Sequence, residues 1–440
     1  MPAHVINETL LFDGDEEVLG RQLFDCVADL YPICRSITGD GVRETLARLG
    51  RIVPVQIHEV PSGTAVFDWT IPDEWNVHDA CVKDARGERV IDFRSCNLHL
   101  VNYSVPFRGR MLLEELRSHL FALPDRPEWI PYRTSYYQKN WGFCLSQQQL
   151  DALPPGEYEV CIDASLKPGY LTYGELYLPG DSPEEVLISA HLCHPSLAND
   201  NLSGLTVAAY LARQLQSQPL NLSYRFLFIP ATIGAIAWLA RNESVLPKIR
   251  HGLVLASLGD PGPLTYKRSR RGDATIDRAA AHVLQQLGVH ELFEFSPDGY
   301  DERQFCSPGF DLPVGRLSRT PYGRYPEYHT SADNLEFVRP AQLASALTAC
   351  LKILSVIENN HTYLNQQPKG EPHLSKYNLY QSVVGAGSSQ NFHAALRWLL
   401  NLSDGAHSLL DIAERSGIDF HDLVAAAKAL LECGLLQESA

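Results

Sequence analysis

The chain has 440 residues, 45% hydrophobic and 20% charged, a globular composition too long for one ordinary core, so two or three domains are expected. A formal charge of −15 opposes a large phosphate-binding surface and makes nucleic acid a poor partner. The ten cysteines are scattered, residues 1–8 lack the basic and apolar regions of a secretion signal, and no apolar run reaches the roughly 18 residues of a membrane span; a cytoplasmic protein with reduced thiols and no membrane contact is expected.

In chain order, Leu19, Leu23, Val27 and Leu30 recur at helical spacing, and Thr38-Gly39-Asp40 opens a second helix. The period changes at Pro61-Ser62-Gly63. From there to about Trp141 the chain reads as short β runs broken by Pro and Gly, with a hairpin turn at Asp84-Ala85-Arg86-Gly87 and Trp69, Trp75, Trp129 and Trp141 as anchors. This predicts an inserted β domain over 61–149 within a larger domain made of 1–60 and 150–362. Strands at 158–162 and 171–177 lead into an alternation: strand 186–190, helix 202–216, strand 224–229, helix 235–241, strand 252–258, helix 277–287, strand 312–317 and helix 340–359. Such alternation predicts an α/β fold with a mainly parallel, doubly wound sheet.

After Gln366-Gln367-Pro368-Lys369-Gly370 comes a Gly- and Ser-rich linker, then three short helical patterns at 392–402, 408–416 and 420–433. The spacing predicts a small winged-helix domain over 372–440. Its candidate recognition helix sets Asp419, Asp422 and Glu432 against only Lys428, whereas phosphate contacts need Lys and Arg. Protein contact, between domains or within a homo-oligomer, is the expected use.

The densest chemistry lies in Leu187-Ile188-Ser189-Ala190-His191-Leu192-Cys193-His194 and the following Asn199-Asp200-Asn201. Two histidines and a carboxylate stand there between a strand end and a helix start, where open α/β folds build their sites. A distant loop, Glu327-Tyr328-His329-Thr330, adds another imidazole. One histidine among 16 carries little weight. Together, His191, Asp200 and His329 would close a three-ligand zinc site with an open position for water.

These residues, His191-Leu192-Cys193, Asn199-Asp200-Asn201-Leu202-Ser203-Gly204 and Tyr328-His329-Thr330, resemble the zinc aminopeptidase superfamily that includes bacterial leucyl aminopeptidases and glutaminyl cyclases. Over nearly its full length the chain is similar to a bacterial group with an aminopeptidase-like domain, an inserted β domain (marked here by Phe67-Asp68-Trp69 and Asn97-Leu98-His99) and a C-terminal winged helix. Members of that group resemble proteins linked to polysaccharide or secondary-metabolite pathways. The resemblance implies metal ligands at His191, Asp200 and His329, and a further one at Asp260, which reads equally as a turn residue before Pro261-Gly262.

Two departures stand out. Cys193 occupies the place of an aspartate that orients the first histidine, a loss that His194 could offset by ligation or hydrogen bonding. Pro230-Ala231-Thr232-Ile233-Gly234 replaces a pair of glutamates, one a ligand and one a general base. Losing the ligand implies one zinc ion rather than two; losing the base removes roughly 10²–10⁴-fold in rate. Asp301 and Glu302, and Glu327 behind them, are the candidate replacements, each also readable as a solvated loop carboxylate.

The basic run at 266–271, with Lys267, Arg268, Arg270 and Arg271, is expected to grip an anionic substrate beside Tyr325, Tyr322, Arg316 and Arg319. Its plainer reading is a surface loop paired with local acids. The resulting expectation is a zinc-dependent hydrolase acting on an amide or peptide bond of a small molecule or short peptide. The alternatives are a metal-binding or regulatory protein without turnover and a DNA-binding regulator using the C-terminal helices.

Overall fold

A computed structural model describes Leu10, residues 14–379 and residues 389–439, with side chains left out at Ser389 and Gln390. Most of the Gly- and Ser-rich linker and residues 1–8 lie outside the described residues. At the centre runs the strand Glu185–His191, buried at every position. Burial on both faces is why it reads as a continuous apolar run and not as an alternation. Parallel neighbours flank it, Ser223–Ile229 on one side and Ile249–Leu255 on the other, and Val314–Ser318 extends the parallel block.

The whole sheet has eight strands, in the order Gln56–Pro61, Tyr170–Leu178, Ser223–Ile229, Glu185–His191, Ile249–Leu255, Val314–Ser318, Leu264–Lys267, His290–Phe293. It is mixed: Gln56–Pro61 and Tyr170–Leu178 pair antiparallel, as do Tyr170–Leu178 with Ser223–Ile229 and Leu264–Lys267 with Val314–Ser318. Helical alternation marks only the strands joined by crossovers, and antiparallel flanks need none.

Two cores cover the two faces. One joins helices Glu16–Leu30, Gly204–Gln216, Thr275–Leu287 and Pro340–Asn359, and runs on without a break into the C-terminal domain through Leu396, Leu409, Phe420 and Leu430. The other packs Trp238 of helix Ile233–Arg241 and Phe305 against the inserted domain. Helix Pro340–Asn359 has the length and apolarity to cross a membrane, yet 67% of its most apolar window is buried inside the fold.

The inserted domain is a four-stranded antiparallel sheet in the order Arg89–Asp92, Glu74–Lys83, Glu157–Lys167, Phe107–Leu112. Because Glu157–Lys167 joins this sheet and not the central one, the insert runs past residue 149. The turn at Asp84 forms, its carboxylate accepting the N–H groups of Arg86 and Glu88. Trp75 is buried and donates to the Ser104 carbonyl at 2.7 Å, and Trp141 stacks on Phe107 and His119. Trp69, expected as an anchor, is 46% exposed.

Strand Thr362–Asn365 pairs with Asp404–Ser408 and Leu436–Glu438, so the C-terminal unit begins before residue 372. Its helices are Ser389–Leu402, Leu409–Ser416 and Phe420–Glu432.

Candidate metal centre

His191 ends the central strand, and the chain then turns through His194 into the distorted helical turn Ala198–Ser203, where Asp200 and Asn201 leave helical backbone angles. Helix Gly204–Gln216 follows at once, its first residue so close to the neighbouring strand that a Cβ on Gly204 would lie 2.4 Å from the Leu255 carbonyl oxygen. The Asn201 side chain locks this corner. Its Oδ1 accepts the N–H groups of Gly204 and Ser257, while Nδ2 donates to the Leu255 carbonyl and lies 3.3 Å from His191 Nδ1. That leaves His191 Nε2 facing Asp200 Oδ1 at 2.9 Å.

The other Asp200 oxygen meets the distant loop. His329 Nε2 lies 3.0 Å from Oδ2, and His194 Nε2 lies 3.9 Å from it. His329 sits in the left-handed backbone region at φ 56°. Its carbonyl accepts the Tyr132 N–H at 2.7 Å and the Ile130 N–H reaches Ser331 Oγ, so the inserted domain holds the loop in place. Rings close the surroundings: Tyr132 abuts His194 and His329, Tyr300 stacks on His191, and Tyr328 stacks on His329 with centroids 3.9 Å apart. Behind His194, the fully buried Arg35 donates Nε to its carbonyl at 2.8 Å.

Two donors bound about 2.0–2.1 Å from one zinc ion stand about 2.9–3.4 Å apart, depending on the angle at the metal. His191 and His329, at 2.9 and 3.0 Å from Asp200 oxygens, fall within that window, and His194 at 3.9 Å lies outside it. Ligand atoms of His191, His194 and Asp200 all lie within 4.8 Å of one another, the one such trio among the described residues. His329 approaches from the second oxygen. Three imidazoles and one carboxylate form the nitrogen and oxygen donor set that zinc takes.

The electrostatics favour a cation. Burial of Asp200 works against its charge, but the imidazoles of His194, His191 and His329 overcome it and hold the carboxyl well below its usual range. Burial pushes His194 down to about 3, with His191 and His329 reinforcing it against Asp200, so its ring is neutral near pH 7 with a lone pair to give.

Asp260 is not among the converging groups. Its buried carboxylate accepts from Gly262 N, Thr320 N, Thr320 Oγ1 and Asn199 Nδ2, the work of a turn clamp that also positions Asn199. Tyr325 is buried, with its hydroxyl 3.5 Å from Ser257 Oγ. The basic run does not form a grip. Lys267 is 3% exposed and pairs with Glu302 at 3.1 Å, where Arg316 joins it at 3.5 Å. Arg268 meets Glu294 and the Gly272 carbonyl, while Arg270 and Arg271 are tied to Asp311. The plainer reading, a surface loop paired with local acids, describes Arg268, Arg270 and Arg271, whereas Lys267 lies in a buried strand.

Asp301 differs from Glu302. Both are fully buried, but neither Asp301 oxygen has a hydrogen-bond partner. Burial pushes Asp301 up to about 7, opposed by nearby His191, and its charge is felt by the Cys193 thiol. Since Cys193 Sγ is 3.7 Å from the Ala231 carbonyl, Asp301 lies on the flank where the superfamily's glutamates are missing. Sequence reasoning missed Asp333, Tyr132 and Arg35. Asp333 had a faint signal, four residues beyond His329; the other two had none.

Residues 24–360 match the model of a family described as Domain of unknown function (DUF4910), and residues 361–438 match a winged helix-turn-helix model. A curated relative from Clostridium acetobutylicum is 49% identical over 420 residues, 95% of this chain and 96% of the relative; its name provisionally makes it a polysaccharide biosynthesis protein with an aminopeptidase-like domain. A crystal structure from the same organism, provisionally named a peptidase, superposes with a TM-score of 0.92 at 47% identity, covering 96% of this chain and 97% of that one. At 13% identity, the zinc aminopeptidase of Bacillus subtilis matches with a TM-score of 0.56 over 76% of this chain and 94% of its own, and so shares the fold. By its match over 337 residues, from 24 to 360, the chain belongs to the DUF4910 family, a zinc-exopeptidase-like α/β fold that here carries a C-terminal winged helix.

Proposed function

We propose that the protein is a metal-dependent hydrolase, with zinc as the ion, that cleaves an amide bond in a small polar substrate. The observation that carries this reading is the buried Asp200 carboxylate with His191 on one oxygen and His329 and His194 on the other. His191, His194, Asp200 and His329 would hold the ion, which supplies Lewis acidity to polarise a carbonyl and acidify water.

The chain's own groups do the rest. Asp301, buried and unpartnered beside His191 and Cys193, accepts the proton that the attacking water gives up. Burial keeps the hydroxyls of Tyr300 and Tyr328 protonated, so each can donate a hydrogen bond to an oxygen of the substrate. The relative's place in polysaccharide biosynthesis extends the candidate substrates to amide-bearing sugar precursors. All ten cysteines are free, which suits a reducing compartment such as the cytoplasm.

Metal analysis of the purified wild type beside His191→Ala, His194→Ala, Asp200→Asn and His329→Ala tests the ligand set, and turnover of an amide panel with and without zinc tests the reaction. Bound zinc that is lost from the variants, with zinc-dependent turnover, is expected. Zinc content indifferent to all four changes refutes it. A second reading, a metal-binding protein without turnover, draws on Ala231 and Thr232 at the glutamate positions. It requires that no amide be cleaved at any zinc loading and that Ala231→Glu create activity.

A further inference from the structure

Beside His329 a cavity of about 520 Å³ opens between the inserted domain and the His329 loop, lined by Tyr132, Tyr328, His329, Asp125, Arg126 and Arg133 among others. Most arginines of this chain are tied to carboxylates, as Arg268, Arg270 and Arg271 are. Arg126 and Arg133 are not. Arg126 lies over the Trp129 ring with its guanidinium carbon 5.4 Å from the centroid, and Arg133 lies over Phe121 at 4.6 Å. The one polar contact of the Arg126 guanidinium is with the Asp125 carbonyl at 3.3 Å.

An aromatic ring under a guanidinium fixes its plane without using the N–H fork at its edge. Two such arginines among the lining residues suit a planar or tetrahedral oxyanion, which arginine binds through paired N–H groups. Asp125 is the one carboxylate among the lining residues, so the cavity is net positive in a chain of net charge −15. Its wall includes His329, the one residue that the cavity shares with the centre.

We infer that this cavity receives an anionic group of the substrate, a carboxylate or a phosphate, held by Arg126 and Arg133. The inference rests on the hydrolytic reading of the adjacent centre, and it narrows the substrate class to amides that carry a negative charge.

The test is calorimetric titration of metal-free, full-length protein with inorganic phosphate and, separately, with propionate. One of them binds wild type; Arg126→Met and Arg133→Met each weaken it at least fivefold, and the double variant at least tenfold. The binding is read without metal, so a failure of the metal reading and a failure of this one are told apart. Arg126→Lys with Arg133→Lys retains charge without the fork and loses less than the double Met variant. Phosphate as the tighter ligand identifies a phosphoryl group, propionate a carboxylate. The inference is overturned if neither anion binds at millimolar concentration, or if the double Met variant, folded by circular dichroism, binds as wild type does.

Discussion

Asp333 holds Asp200 by its backbone: the Asp333 carboxylate accepts the Asp200 N–H at 2.9 Å and the Asn199 N–H at 2.6 Å, while its carbonyl accepts from Ala198. A carboxylate four residues past His329 thus ties the Asp200 turn to the His329 loop through backbone N–H groups and not through an imidazole. Partners that orient ligands are typically worth about 10–100-fold in metal affinity. Asp333→Asn retains the shape but turns one acceptor into a donor facing an N–H. Zinc affinity measured by competition with a chromogenic chelator should fall about 10–100-fold with all four ligand residues intact. Unchanged affinity would deny Asp333 this role.

Asp301 and Glu302 separate by their partners. Lys267 and Arg316 neutralise Glu302, whereas Asp301 has no partner to lose. Asp301→Asn should therefore leave zinc content and melting temperature close to wild type and lower kcat by about 10²–10⁴-fold. Glu302→Gln should do the reverse, because it strands two buried cations and costs several kcal/mol of stability. If Asp301→Asn turns over at the wild-type rate, the proton acceptor lies elsewhere.

The legible parts of this chain are those that local pattern controls. The run Val186-Leu187-Ile188 reads as a strand and is one, buried on both faces, and Pro340–Asn359 keeps helical spacing for 20 residues. The meeting of His191 and His329 at Asp200 was legible because histidines and an acid at a strand end and in a distant loop share few other places to converge. What stayed hidden depends on direction and distance. Nothing in Gly259-Asp260-Pro261 says whether the carboxylate turns to the centre or back to Thr320, and it turns back. Lys267 sits in a basic run yet ends a strand buried at all four positions, an arrangement that needs the interior Glu302, 35 residues away. Tyr132 reaches the centre only because the inserted domain folds over it, and no spacing encodes that.

The winged-helix domain predicts an absence of DNA binding. Its core is continuous with the α/β domain, and Arg278 clamps it through Asp411 at 2.6 Å and Glu414 at 2.5 Å. The helix Phe420–Glu432 buries Phe420, Leu423, Val424, Ala426, Ala427 and Leu430, and its ends carry Asp419, Asp422 and Glu432. With Lys428 as the one Lys or Arg on that helix, mobility-shift assays at 50 mM salt should detect no duplex binding, where nonspecific binders are at about their tightest. Arg278→Ala, at a partly exposed pair, should cost no more than about 1 kcal/mol. Salt-sensitive duplex binding would contradict this account of the domain.

Acid sensitivity of the fold has a local origin in His251, within the strand Ile249–Leu255. Its Nδ1 is buried without a hydrogen-bond partner. Burial, reinforced by Arg250, pushes the ring from its ordinary value down to about 4. The unfolded chain takes up a proton near pH 6.5 while the folded chain resists until about 4, so between those values the unfolded state binds more protons and stability falls as pH falls. Above 6.5 the ring contributes nothing to the slope. Between pH 7.5 and 5.5 the loss assigned to this one group is about 1 kcal/mol. His194, His99 and His282 are shifted in the same direction, so the wild-type slope sums several groups. Comparison with His251→Gln isolates one of them: denaturant titrations at the two pH values should show a drop in stability smaller by about 1 kcal/mol in the variant. An equal drop in both proteins would mean that the ring gains a partner on protonation, which its enclosed Nδ1 gives no sign of.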